Sequence, residues 1–395
     1  MKILLAFFTA LLLAPLAATC AAEPKPSFGD SVQFRGSLGN SRVQFETKKK
    51  GRVAFIGGSI TEMNGYRPMV CDILKKRFPQ TDFTFVDAGI SSTCSTTGAF
   101  RLERDVLAGG PVDLFFVEFA VNDDQDAHHT RAECIRGLEG IIRHARRNNP
   151  NMDIVVTYFV NEGMLVKLQS GGTPLTIEAH EAVARHYAVS TIHLAKEVAE
   201  EITAGALTWK QYGGVHPAPY GNAICARMID ELFDRAWKPA AASATAAHRV
   251  PEPLDPLNYE AGRFLDPSSA KLKSGWALGV PDWKPIAGSK RERFTNIPIL
   301  SATEPGAELS LDFEGTAIGA FVVAGPDAGI AESSVDGGAF HSVDLFHSFS
   351  KGLHYPRTVL LGAELKPGKH VLRLRISADT KSAGHAMRIM QFVAN

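Results

Sequence analysis

What the chain lacks narrows it first. Neither sign of charge dominates: 42 basic residues stand against 42 acidic ones. Binding to nucleic acid or to an anionic membrane surface calls for a basic excess, so neither partner is expected. Cysteine is scarce, with five in 395 residues. No spacing resembles a zinc site, and neither metal nor cofactor is expected. Internal repeats are absent, and low-complexity sequence is confined to a short Ala-rich stretch near residue 240. One apolar run stands out, Ile3 to Ala18, and it is too short for a comfortable membrane span. Lys2 precedes it, and Cys20-Ala21-Ala22 then Glu23-Pro24 follow. Residues 1–22 therefore read as an export signal cleaved near Ala22, which makes the protein secreted or periplasmic. Cys20 also raises a lipoprotein reading, which Thr19 before it fits poorly. Cys71, Cys94, Cys134 and Cys225 remain, either as disulfides in an oxidising compartment or as buried thiols.

What is present is a repeated alternation. Arg52 to Ile56, Phe83 to Val86, Val112 to Phe119, Met152 to Phe159 and Ser190 to Leu194 are short, nearly continuous apolar runs that read as strands. Helical patterns separate or follow them at Tyr66 to Phe78, Arg131 to Arg147, Thr176 to Tyr187 (with Thr176 as its cap) and Tyr220 to Trp237. Such alternation predicts a parallel sheet covered on both faces. Residues 27 to 48 show weak alternation at Val32, Phe34, Val43 and Phe45 and read as a hairpin or edge strand. From Lys238 to Pro256 the chain turns Pro- and Ala-rich, a linker. Beyond it come short alternating segments, with turns at Asp336-Gly337-Gly338 and Pro367-Gly368-Lys369, which predict an antiparallel β-sandwich over 257–395. The α/β domain is then 27–237, with its core at 50–237.

Four chemically suggestive positions fall at strand carboxyl ends or in the last loop: Ser59, Gly89, Asn122 and His216. Acyl transfer needs these types. A hydroxyl attacks, an imidazole takes its proton, and N–H donors stabilise the oxyanion. Each has a bland alternative: a tight turn at Gly57-Gly58-Ser59, a strand end at Gly89, an Asx turn at Asn122, a structural histidine at 216. The order Gly57-Gly58-Ser59-Ile60-Thr61, Gly89, Ala120-Val121-Asn122-Asp123 and Gly213-Gly214-Val215-His216-Pro217 resembles the four blocks of the SGNH (GDSL-like) hydrolases. That resemblance covers roughly residues 50 to 237. It implies a flavodoxin-like α/β/α sandwich and ester hydrolysis. Ser59 would be the nucleophile, His216 the base, and Ser59 N–H, Gly89 N–H and Asn122 the oxyanion hole.

Three departures stand out. Gly58 replaces the usual aspartate, Ala120 replaces a glycine, and Gly213 occupies the place of the acid three residues before the histidine. Either Ser59 and His216 act as a dyad, or Asp123, Asp124, Asp126 or Glu62 substitutes, or the site is inactive. Glu118 interrupts an apolar strand, and Arg67 is its expected partner unless Arg67 binds substrate. His128-His129 reads as a solvated loop rather than a metal pair.

The sequence thus predicts a secreted serine esterase. The appended domain resembles, loosely, the jelly-roll modules that accompany carbohydrate esterases, which favours an O-acetylated glycan as the partner. Trp276, Trp283 and Tyr355 are candidates for sugar stacking. The alternatives are a lipase- or lysophospholipase-like esterase and a non-catalytic carbohydrate-binding protein with a decayed core. Oligomeric state is not legible.

Overall fold

The structure, a computed structural model, describes residues 27–395. The export-signal and lipoprotein readings, including Cys20, lie outside the described residues.

Of the hairpin or edge strand expected at 27 to 48, the edge strand is present, though only two residues long and beside the strand Ser190–Ile192, and the hairpin is absent. The segment holds this strand β1 (Val32–Gln33), a short helix α1 (Gly39–Val43) and one π-helical turn. The spacing of Leu38, Val43 and Phe45, all buried, suits a helical turn pressed on the domain rather than a strand. The α/β core then follows the sequence closely: β2 (Lys50–Gly57), α2 (Ser59–Glu62), α3 (Tyr66–Arg77), β3 (Asp82–Gly89), α4 (Ser95–Leu102), β4 (Leu114–Glu118), α5 (Ala120–Gln125) and α6 (Arg131–Asn148). Next come β5 (Asp153–Thr157), α7 (Glu162–Gln169), α8 (Leu175–His186), β6 (Ser190–Ile192), α9 (Leu194–Thr203), α10 (Trp209–Tyr212) and α11 (Pro219–Trp237). Thr176 does not cap α8. The N-cap position is Pro174, without a side-chain bond, and Thr176 Oγ1 is buried without a partner.

The sheet order is β1-β6-β5-β4-β2-β3, parallel throughout except for β1 against β6. Every residue of β4 and β5 is buried, as strands covered on both faces require. The chain leaves β2 for the edge strand β3 and then returns to its other side as β4. The crevice at the carboxyl ends of β2 and β4 is therefore the topological switch point, where open α/β sheets bind ligands. Cys71, Cys94, Cys134 and Cys225 are all free and buried, so the thiol alternative holds.

The Pro/Ala-rich segment from 238 to 256 has no helix or strand, yet it is docked. Arg146 Nη1 donates to the Arg249 carbonyl, Arg143 Nη1 to the Pro251 carbonyl, and Leu254 N–H to Glu139. The all-β region begins with β7 (Arg263–Leu265), β8 (Lys271–Ser274), β9 (Ala277–Gly279), β10 (Ile299–Ala302), β11 (Glu308–Glu314) and β12 (Ile318–Ala324). It continues with β13 (Ile330–Val335), β14 (His341–Asp344), β15 (Tyr355–Gly362), β16 (Lys369–Ile376) and β17 (Met387–Ala394). Two antiparallel sheets, β15-β12-β17-β10-β9 with β7 on β17, and β14-β13-β16-β11-β8, enclose a second apolar core. The sandwich predicted from alternation is present.

Candidate active site

Ser59 is the first residue of α2, at the end of β2, where Gly57 and Gly58 allow close approach. A Cβ on Gly57 would lie 2.1 Å from Thr61 Oγ1, and one on Gly58 would lie 2.0 Å from Asn122 Oδ1. Only glycine lets the Asn122 amide rest against the residue before the serine. His216 reaches in from the loop before α11, and its Nε2 is 2.8 Å from Ser59 Oγ. His216 is exposed and Ser59 half-buried, so the pair opens to the surface. The spacing suits proton transfer from hydroxyl to imidazole.

None of the expected substitute acids partners His216. Among the described residues no carboxylate lies within 4.0 Å of its ring. Asp123 is fully buried and accepts from Ser95 N–H (2.7 Å) and Ser95 Oγ (2.6 Å), with His180 Nε2 at 2.9 Å. Burial alone would raise its carboxyl, but His129 and His180 hold it well below the usual carboxylate range. Asp124 accepts from Asn161 Nδ2, Asp126 accepts from Asn122 Nδ2 and Tyr355, and Glu62 binds Ser91 and Arg293. Gly213 ends α10 with φ at 106°, and a Cβ there would lie 2.0 Å from Ala218 N. This backbone leaves no room for the acid that the resemblance places there.

The oxyanion donors fare unequally. Ser59 N–H opens a helical turn and has no intrahelical acceptor. Asn122, at the carboxyl end of β4, is 2 % exposed. One Nδ2 proton goes to Asp126 Oδ2 at 2.7 Å, which leaves the other for a ligand. Gly89 is corrected: its N–H donates to Asp87 Oδ1 at 3.0 Å, so it is not a free donor. Its lack of a side chain serves close approach instead, since a Cβ would lie 2.3 Å from Glu62 N.

Arg67 does not pair with Glu118. It binds Asp87 Oδ2 at 2.7 Å and the Thr61 carbonyl at 3.1 Å. Glu118 is fully buried and, among the described residues, pairs with no basic group. Burial pushes its carboxyl up to about 8, only partly offset by bonds from the Thr61 hydroxyl and Gly58, while the charges of Asp123 and Asp126 push the same way. His129 is not solvated either, for its ring lies 3.5 Å from Asp123 Oδ1. Cys94 and His129, or Cys134 and His180, together with Asp123, are the described groups that could hold a cation. The bonds from Ser95 and His180 already occupy that carboxylate, so the cluster reads as a buried hydrogen-bonded network.

Sequence reasoning missed two residues. Arg101 is fully buried and donates to the carbonyls of Ala88 (2.6 Å) and Gly57 (3.0 Å), fixing the ends of β3 and β2. Asn222 donates to the Pro217 carbonyl at 2.6 Å and accepts from Tyr66 N–H at 2.8 Å, pinning the His216 loop to α3. An asparagine in the first turn of the helix after His-Pro was the available signal for the second. Of the stacking candidates, Trp276 and Tyr355 are buried, and the half-buried Trp283 has Arg388 and Lys290 over its ring.

A switch-point serine bonded to an exposed histidine defines a serine-hydrolase-like site on a flavodoxin-like sheet. The sequence model of the GDSL-like lipase/acylhydrolase family matches residues 55–224, most of the α/β domain. In fold, the chain is similar to a two-domain esterase (CEX) active on acetylated mannans, solved with mannopentaose, at TM-score 0.71 and 23% identity. The match covers 92% of this chain and 96% of that one. A second structure of a two-domain esterase (CEX) active on acetylated mannans gives 0.70 and 24% over the same shares. At these identities the likeness is one of fold, and it spans both the α/β domain and the all-β region. No curated protein sequence matches the chain.

Proposed function

We propose that the protein is an exported serine esterase that removes O-acetyl groups from a polysaccharide through an acyl-enzyme intermediate. The observation that carries this reading is the 2.8 Å contact between Ser59 Oγ and His216 Nε2 at the switch point of a GDSL-like domain. The glycan is favoured by fold likeness to esterases active on acetylated mannans. Ser59 Oγ attacks the acetyl carbonyl as His216 Nε2 takes its proton. The oxyanion that forms is met by Ser59 N–H and Asn122 Nδ2. Collapse breaks the bond to the sugar oxygen, which receives the proton from His216. Water, deprotonated by the same nitrogen, then attacks acetyl-Ser59 and releases acetate. With no carboxylate on His216, the pair works as a dyad.

The test is acetate release from a panel of acetylated polysaccharides, acetylated mannan among them, by wild type and Ser59→Ala. Release that vanishes in the variant is the expected result. Turnover of p-nitrophenyl acetate alone would shift the reading to small or lipid esters. No turnover of any ester would favour the binding protein.

A further inference from the structure

The all-β region contributes no residue to the dyad, yet it grips the loops that form the site. Asp126, at the end of α5, is buried and is held from across the interface at two points. Tyr355 OH, on β15, donates to its Oδ1 at 2.9 Å. His347 Nε2 lies 2.9 Å from its backbone carbonyl. The two rings stack, with centroids 4.5 Å apart and planes 9° from parallel. Tyr355 and Asp126 are 2 % and 6 % exposed, so water does not compete freely for these bonds. The other oxygen of the same carboxylate, Oδ2, accepts from Asn122 Nδ2 at 2.7 Å. Asn122 in turn lies against Gly58, one residue before the nucleophile.

We propose that Tyr355 is a positioning residue for the esterase. Acting through Asp126, it fixes the rotamer of Asn122 so that the second Nδ2 proton faces the oxyanion. A single bonded chain, Tyr355 to Asp126 to Asn122, carries the order of the β-sandwich into the oxyanion hole. This rests on the reading of the site given above. The geometry explains why the asparagine points one way. An Asn side chain with one amide proton tied to a carboxylate cannot flip its amide without placing two oxygens together. A carboxylate is itself fixed only if its remaining oxygen is held, and Tyr355 holds it. The second acceptor near Tyr355 OH is the Ser92 carbonyl at 3.2 Å. Ser92 has φ at 71°, an uncommon conformation for a serine. Its hydroxyl accepts from Arg291 Nη2 at 2.8 Å, so the loop after β3 is clamped from the same side.

The test uses the full chain with Tyr355→Phe, which deletes one oxygen and keeps the ring on His347. With p-nitrophenyl acetate, kcat is expected to fall about tenfold with KM within about twofold. The same substitution made in Asn122→Ala should cost no further activity, since its effect passes through the amide. Independently of turnover, the side-chain ¹H–¹⁵N resonances of Asn122, assigned by their loss in Asn122→Ala, should shift in Tyr355→Phe. Asp126→Asn should retain more activity than Asp126→Ala. A merely structural role would lower melting temperature and leave kcat and the Asn122 resonances in place, and that result overturns the proposal. Activity that survives Ser59→Ala defeats the esterase reading itself. The Asn122 resonances then judge the relay alone: a shift upholds it, and no shift overturns it.

Discussion

Glu118 shows what a single buried side chain does to pH dependence. Its folded carboxyl titrates near 8, against an ordinary value of 4.5. The folded state therefore holds a proton that the unfolded chain has already lost. Stability contributed by that proton is complete below the unfolded value and declines as pH rises from there up through about 8. Glu118→Gln mimics the protonated form. It should raise the melting temperature at pH 8.5, with a gain in stability of up to about 5 kcal/mol, and change little near pH 4.5. Thermal unfolding at the two pH values checks this, and equal curves at both would refute it. The sequence flagged Glu118 as anomalous but proposed the wrong partner. Arg67 neighbours it in the sequence pattern only. In the fold, Arg67 pairs with Asp87 on the edge strand β3, whereas Glu118 ends β4 beside Gly57 and accepts from Thr61 of α2. Side-chain direction at a strand end depends on which strand lies beside it, and that order is not written locally.

Elements were legible wherever one physical signal dominated. The parallel strands β2, β4 and β5 carry nearly continuous apolar runs, and α6 opens with the capping box of Thr130 and Glu133. By contrast, α4 and α7, whose apolar residues are few and interrupted, were missed, and so was α9, although its buried Leu194, Ala195, Val198 and Ala199 lie on one face. The Ser59 and His216 loops were legible from their Gly-Gly pairs, and Asn122 from its place after an apolar strand. Gly89 was misassigned because its spacing fits either a free donor or a strand end, and only the Asp87 carboxylate, which takes its N–H, decides. Gly213 carries the sharpest element-scale prediction. It closes α10 in the left-handed region against Ala218 N. Gly213→Asp, which restores the family's acid in sequence, should cost about 2 kcal/mol or more from strain and give no gain in kcat. A lower melting temperature with unimproved turnover is the expected outcome. Faster turnover would mean that the loop can remodel into a triad.

At the scale of the whole molecule, the two halves share one apolar cluster. Phe294, Phe321 and Met390 of the all-β region belong to the same buried core as Phe55 and Phe100 of the α/β domain. Arg293 pairs with Glu62, Arg136 with both Asp255 and Glu364, and Thr97 bonds Thr358. The segment expected as a linker is tied down along α6. Calorimetry should accordingly give one unfolding transition, and two separated transitions would contradict a common core. The composition shift near residue 240 marks a change of architecture. It says nothing about independence, because contacts made across several hundred residues leave no local pattern.

The last described strand, β17, lies in the middle of the sheet that carries Tyr355, between β12 and β10. Tyr355 itself follows Asp126 by 229 residues. A ribosome therefore makes Ser59 early and the frame around it late. Through most of synthesis the serine has emerged, but the sheet that orders its surroundings has no centre. A chain truncated before β17 would carry Ser59 and His216 but not the sheet that brings Tyr355 to Asp126.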